Sequence, residues 1–67
     1  MPAPARQTIP GWRLIISDAG RFWALRQTPF RIEAMRAGAD PAVDADTFSE
    51  VQAAVEQQEE IARQVTS

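Results

Sequence analysis

The chain of 67 residues contains no cysteine, histidine, lysine or tyrosine. It can therefore form no disulfide, and it lacks the thiolate and imidazole groups that zinc and most transition-metal sites use. The usual proton shuttles and activated nucleophiles are missing too, which leaves carboxylates and three serines. A carboxylate becomes a general acid only in a pocket that raises its pKa, and a domain this small has little room for one. We therefore predict that the protein is not an enzyme and takes no small-molecule substrate or cofactor.

Glycine is scarce, and long apolar runs are absent. The three glycines are scattered along the chain, so no Gly-rich phosphate-binding loop is present. Apolar runs such as Leu14–Ile16 are far shorter than a membrane span, and the N-terminal residues show no signal-peptide pattern. We expect a soluble, cytoplasmic protein that does not bind membranes, since a lack of cysteine is typical of reducing compartments.

The length allows one small domain. A chain of this size buries only roughly 60% of its extended surface on folding, and domains with so little core usually need a disulfide, a metal or a partner. Because the first two are missing, we predict self-association as a homodimer. The proline-rich residues 1–10 predict a flexible arm, followed by a single domain over residues 11–65.

Charge is divided by position along the chain. Residues 1–38 carry six arginines and two acids, a net charge of +4, whereas residues 39–67 carry one arginine and seven acids, a net charge of −6. Both tryptophans belong to the basic part. Complementary fields of this kind steer partners together, so the pattern favours a binding function over a chemical one.

Residues 12–17 and 22–27 are rich in β-branched and aromatic types and predict two strands of a hairpin. The loop Asp18–Gly20 suits a three-residue turn with Gly20 in the left-handed conformation. This turn pairs Trp12 with Arg26 and Ile15 with Trp23. One face then holds Trp12, Leu14, Ile16, Phe22, Ala24 and Arg26, with Arg26 able to lie on the Trp12 ring. The other face holds Arg13, Ile15, Ser17, Arg21, Trp23 and Leu25.

The remaining elements follow a proline that ends the second strand. A short helix over about 30–37 would turn Ile32 and Met35 inward, although the alternation of apolar residues permits an extended stretch equally well. Residues 41–45 predict a short third strand. Thr47 and Glu50 form a capping box, and the apolar spacing after it predicts an amphipathic helix over about 47–64. The fold class is therefore α+β, with this helix on one face of the sheet.

The residues expected to face the core from that helix are Phe48, Val51, Val55, Ile61, Ala62 and Val65. Those expected to face water are Glu56, Gln57, Glu59, Glu60 and Gln64.

Three aspartates, Asp40, Asp44 and Asp46, have the only metal-like spacing in the chain. An EF-hand loop also needs a glycine at its turn and a distal glutamate in register, and neither is present here. We therefore interpret this segment as a solvated loop before a helix cap and predict no metal site.

The second hairpin face carries the leading functional hypothesis. One helix covers one face of a small sheet, which leaves Ile15, Trp23 and Leu25 exposed between Arg13 and Arg21. An aromatic centre with an arginine rim is typical of protein interfaces. Alternatively, residues 28–38 fold over this face and complete the core. Both interpretations stay open from the sequence.

Two further binding functions compete with this hypothesis. Basic side chains beside aromatic rings suit nucleic acid, for which the candidate residues are Arg13, Arg21, Trp23 and Arg26. The net charge of −2 opposes this alternative and ranks it second. Separately, the acidic side chains of the C-terminal helix either solvate it or dock a basic partner, as an inhibitor of a nucleic-acid enzyme would.

The hairpin turn in residues 18–24 and the capped helix start in residues 43–50 resemble the small HicB-like antitoxin domain. The likeness covers residues 12–64 and implies an antitoxin-like α+β module that neutralises a protein partner. Residues 37–41 lack the glycine-rich segment of that family, and no appended DNA-binding segment is present, so direct operator binding is not implied. The chain is also similar to small proteins of GC-rich actinobacterial or phage genomes, a likeness that implies no function.

Overall fold

The computed structural model describes residues 8–66, with Thr66 described by its backbone alone. The elements in chain order are β1 (Trp12–Ile16), β2 (Phe22–Arg26), α1 (Ile32–Arg36), β3 (Ala42–Ala45) and α2 (Phe48–Thr66). The strands form one antiparallel sheet in the order β1-β2-β3, and α2 packs against β2 and β3. The predicted α+β fold with a hairpin, a short third strand and a C-terminal helix is confirmed.

The hairpin has the predicted register, with Trp12 opposite Arg26 at its open end. Gly20 has a φ of +81°, the left-handed conformation that glycine adopts without steric cost. Its N–H donates to the Ser17 carbonyl at 2.8 Å, and the Ser17 N–H donates to the Arg21 carbonyl at 2.9 Å. The turn therefore sets which side chains share each face, because a slip of one residue would exchange the two faces.

The third strand extends the sheet on the side of β2. Val43 lies opposite Ala24, and the Arg26 N–H donates to the Pro41 carbonyl at 2.8 Å just before the strand begins. The Asp40 side chain accepts a hydrogen bond from the Ala42 N–H at 3.0 Å. The carboxylate thus satisfies a backbone donor at the start of β3.

The core lies between one face of the sheet and α2. Ala24 and Val51 have no exposed surface, and no charged or polar side chain is buried in the described residues. The buried residues are Ile9, Trp12, Ala24, Phe30, Ala34, Ala39, Val51 and Val55. The helix therefore covers the predicted face, although Ile16 at the hairpin end remains 48% exposed. This happens because α2 packs chiefly over β2 and β3.

The short helix α1 has the opposite rotation from the predicted one. Ile32 and Met35, expected to point inward, are 58% and 47% exposed, whereas Phe30 and Ala34 are buried. Phe30 packs edge-on against Trp12, with ring centroids 6.0 Å apart, and this contact sets which side of α1 faces the core. A Schellman turn at Gly38, whose φ is +108°, ends the helix.

The position of α1 also decides between the two interpretations left open by the sequence. Among the described elements, α1 packs against α2 and not against the second face of the sheet. Residues 28–38 therefore do not cover that face.

The packed domain begins earlier than predicted. Ile9 was assigned to the flexible arm over residues 1–10, but it is buried and forms a bridge with Trp12. The Trp12 N–H donates to the Ile9 carbonyl at 2.9 Å. The rest of the predicted arm, residues 1–7, lies outside the described residues.

Helix α2 begins at the predicted cap. The Glu50 N–H donates to the Thr47 hydroxyl oxygen at 3.1 Å, and the hydroxyl donates to the Glu50 carboxylate at 2.9 Å. The inward residues are those predicted, except that Val65 near the end is 37% exposed. Over residues 8–66, neither helix combines the length and the apolar character needed to cross a bilayer.

We predict that Thr47→Ala lowers the free energy of unfolding by about 1 kcal/mol, because it leaves the Glu50 N–H without its side-chain acceptor. Urea unfolding followed by circular dichroism measures the change. Ser49→Ala, an exposed position in the first turn of the same helix, serves as the control and is expected to change stability less. Equal losses in both variants would contradict a specific capping role.

Candidate functional site

The side of the sheet away from α2, called here the open face, has an apolar centre. Ile15, Trp23 and Leu25 are 40%, 40% and 37% exposed. Ile15 and Trp23 are direct cross-strand partners, and Leu25 is the next residue of β2 on the same side. Since both helices lie elsewhere in the described chain, these side chains form a continuous patch open to solvent.

The third strand adds residues that the sequence analysis did not assign to this site. Asp44 lies opposite Trp23 and Ala42 lies opposite Leu25, so both side chains share the open face. The open face thus consists of Arg13, Ile15, Arg21, Trp23, Leu25, Ala42, Asp44 and Asp46. Ala42, Asp44 and Asp46 could have been assigned to this face only by pairing β3 with β2, and the sequence does not specify that pairing.

One corner of the open face is acidic. The Arg21 Nε donates to the Asp44 Oδ2 at 2.7 Å, and its Nη1 donates to Asp46, whose side chain is 79% exposed. These hydrogen bonds, with that to Asp44 contributing most, raise the pKa of Arg21 above its ordinary value. One arginine between two aspartates leaves a formal charge of −1 at this corner. The arginine rim expected from the sequence therefore includes two aspartates at this corner.

The other charged corner remains basic. Arg13 is exposed and lies opposite Leu25 on β1. It forms no ion pair with any residue in the described range. The five residues predicted for the interface therefore do lie on one face, but with a basic corner and an acidic corner in place of an arginine rim.

Arg26 lies on the opposite side of the sheet, beneath α2. Its guanidinium lies 4.1 Å from the centroid of the Phe30 ring, not on the Trp12 ring as expected. It donates through Nε to Glu59 at 2.9 Å and through Nη1 to the Thr28 carbonyl at 2.7 Å. The structure therefore does not bring Arg26 together with the other three candidate nucleic-acid residues.

Glu59 differs most from its predicted role. It was expected to face water, but its side chain is only 28% exposed and accepts hydrogen bonds from the Trp12 Nε1 at 2.7 Å and from Arg26. The hydrogen bonds from Arg26 are the main reason that the pKa of Glu59 falls below its ordinary value. A sequence signal existed, because Glu59 follows Val51 and Val55 at helical intervals and so shares their inward face.

The other helix carboxylates lie at the surface. Glu60 accepts a hydrogen bond from Arg63 at 2.7 Å, and Glu56 is exposed. Because Glu59 is occupied within the fold, the three acids do not form one free acidic stripe. This arrangement weakens the hypothesis of an inhibitor that acts through the acidic helix.

The three aspartates with metal-like spacing are engaged by the protein. The Asp40 side chain accepts from the Ala42 N–H, and the side chains of Asp44 and Asp46 accept from Arg21. Within residues 8–66, no group of carboxylates is arranged to hold a metal ion. Their observed role is to order the start of β3 and to pair with the hairpin.

Comparison with protein-family models, with curated proteins and with solved structures gave no match for this chain. The resemblance to HicB-like domains therefore rests on the sequence pattern alone.

We predict that Glu59→Gln lowers the free energy of unfolding by about 1–3 kcal/mol, because the amide nitrogen cannot accept the second Arg26 hydrogen bond and the negative charge that pairs with Arg26 is lost. Urea unfolding measures the loss. Glu60→Gln removes the same charge from an exposed pair on the same helix and is expected to have little effect. If the two variants lost equal stability, the central role of Glu59 would be wrong.

The same carboxylate predicts a pH dependence. The pKa of Glu59 is lower in the folded protein than the ordinary value of 4.5. Its stabilisation is therefore complete above about pH 4.5 and is lost as the pH falls through the folded-state pKa. We expect the stability difference between the unmodified chain and Glu59→Gln to be constant near neutral pH and to narrow below about pH 4.5. A difference that grows in acid would contradict this assignment.

Proposed function

We propose that this chain is a non-enzymatic protein-interaction module that self-associates and binds through the open face. The observation that carries the proposal is the exposure of three adjacent apolar side chains, Ile15, Trp23 and Leu25, at the centre of the sheet. Contiguous apolar surface of this kind on a small protein marks an association site.

The composition of the open face supports a protein partner. Tryptophan and arginine are enriched at the centres of protein interfaces, and a charged rim around an apolar centre is their usual anatomy. Trp23 supplies a large rigid contact, and it lies between its cross-strand partners Ile15 and Asp44 on the sheet. Burial of such a residue contributes strongly to affinity.

A catalytic role finds no comparable support. Hydrogen bonds from Arg26 and Arg63 lower the pKa values of Glu59 and Glu60, which makes these carboxyl groups poorer proton donors at neutral pH. Both are paired with arginines, Glu59 with Arg26 and Glu60 with Arg63. This argues for binding, in keeping with the lack of histidine, cysteine, lysine and tyrosine in the chain.

Nucleic-acid binding is the weaker alternative. Of its four candidate residues, Arg21 is neutralised by two aspartates and Arg26 lies under α2 against Glu59. Only Arg13 remains beside Trp23 as a free positive charge within the described residues. One such charge releases few counterions, so the salt-dependent affinity expected of a nucleic-acid binder would be small.

An antitoxin-like or inhibitor-like role is one form that such a module takes. It would use the same face toward a protein partner. We place it in a reducing compartment such as the cytoplasm, because a chain without cysteine has no disulfide that reduction could break. This part of the proposal is supported by the sequence resemblance and by the exposed face.

We predict that the mass measured by size-exclusion chromatography with light scattering rises from one chain toward two as the concentration reaches the high micromolar range. Trp23→Thr, which keeps a strand-forming residue but removes the aromatic ring, is expected to remain monomeric. Ile32→Thr removes an apolar side chain from α1 that is more exposed than Trp23, 58% against 40%, and serves as the control.

A blue shift of tryptophan fluorescence with concentration, absent in Trp23→Thr, would locate the contact, since Trp12 is already buried. A chain that stays monomeric at high micromolar concentration would overturn self-association. A fluorescence response to single-stranded DNA or RNA at low salt, at tens of micromolar nucleic acid, would instead favour the alternative.

A further inference from the structure

We propose that the occupant of the open face is a second copy of this chain, related by a two-fold axis near Trp23, with Arg13 of each copy against the acidic corner of the other. This inference deepens the proposed function and rests on it. It names the partner and the charged residues that orient it.

The charges of the open face lie at diagonally opposite corners. Arg13 is on the outer strand β1, opposite Leu25, toward the open end of the hairpin. Asp46 directly follows the other outer strand, β3, beside the closed end of the hairpin, where Arg21 holds it. Trp23 lies between the two corners, paired with one residue of each outer strand.

A contact across a two-fold axis requires a surface that complements itself. A two-fold axis that lies in the interface, along the diagonal joining the two uncharged corners, places each charged corner of one copy against the oppositely charged corner of the other. Arg13 of each copy then contacts the acidic corner of its partner, and the apolar centres of the two copies contact each other. The strands of the two sheets then cross steeply, as they do in orthogonal sheet packing. If the rim carried only the two arginines expected from the sequence, both corners would be basic. Like charges would then face each other across the axis and oppose the dimer.

Charge complementarity is what favours this occupant over pairing at a sheet edge. The Ser17 N–H donates to Arg21 and the Gln27 N–H donates to Gly11 across the hairpin. Because only every second residue of an antiparallel strand bonds to its partner strand, the N–H groups of Leu14 and Ile16 point away from β2. They leave β1 as an edge that could also pair with another chain. The edge of β3 is protected, because Asp40 caps the Ala42 N–H and two aspartates follow.

The test is charge reversal in the full chain, with the dimer dissociation constant measured by analytical ultracentrifugation. Arg13→Glu and Asp46→Arg should each weaken the dimer about tenfold, because each reverses two symmetry-related rim contacts. The double variant should return to within about threefold of the unmodified chain, since the corners again have opposite signs. Arg36→Glu and Glu56→Arg are the matched controls, because both side chains are exposed on helices away from the open face.

The outcomes separate this inference from the proposed function. If Trp23→Thr is monomeric but the charge reversals leave the dimer unchanged, the open face binds a second copy in another orientation, and only the inference is overturned. If Ile16→Pro abolishes a dimer that Trp23→Thr retains, the contact is at the β1 edge and both are overturned. Proline is tolerated at Ile16 because its N–H does not join the hairpin ladder. A chain that is monomeric throughout overturns both.

The variants must be compared as folded proteins. Urea unfolding by circular dichroism checks each one, and recovery of the dimer in the double variant cannot arise from loss of folding. Raising the salt concentration from 50 to 500 mM, which reduces the screening length from about 14 to 4 Å, should weaken the unmodified dimer. A dimer that strengthens with salt would show that apolar contacts alone hold it, against the inference.

Discussion

The carboxylate of Glu59 links the open end of the hairpin to α2. Glu59 on α2 accepts hydrogen bonds from Trp12 on β1 and from Arg26 on β2, which are cross-strand partners at the open end of the hairpin. A single helix side chain therefore ties both strands to α2. Phe30, packed against the Trp12 ring and beneath the Arg26 guanidinium, holds the following segment on the same side. This placement brings α1 against α2, and among residues 8–66 neither helix covers the other side of the sheet.

Part of the divided charge of the sequence is paired within the fold. The basic part supplies Arg21 and Arg26, and the acidic part supplies Asp44, Asp46 and Glu59, which pair with them across strands and between strand and helix. The two oppositely charged parts of the sequence lie side by side in the sheet, because β3 pairs with β2. What remains exposed on the open face is an apolar centre with small charges of opposite sign at its corners.

Local patterns could be predicted because local physics determines them. The hairpin register follows from the left-handed Gly20 and the alternation of the strands, and the start of α2 follows from the Thr47 cap. The predictions that are wrong concern tertiary contacts. Ile32 and Met35 are more apolar than Ala34, yet Ala34 is buried because Phe30 sets the rotation of α1. Glu59 was assigned to water because its residue type outweighed its position on the helix.

The sequence by itself determined the hairpin, the start of α2, the two sets of hairpin side chains and the lack of histidine, cysteine, lysine and tyrosine side chains. These depend on turn geometry, on periodicity and on which side chains the chain contains. Only the tertiary structure decided which hairpin face α2 covers in full, where α1 lies, and that Arg21 belongs to an acidic corner. Those features depend on contacts between residues more than twenty positions apart, such as Arg21 with Asp44 and Trp12 with Glu59. No local pattern predicts such pairs, because the two side chains interact only after the strands and the helix have packed together.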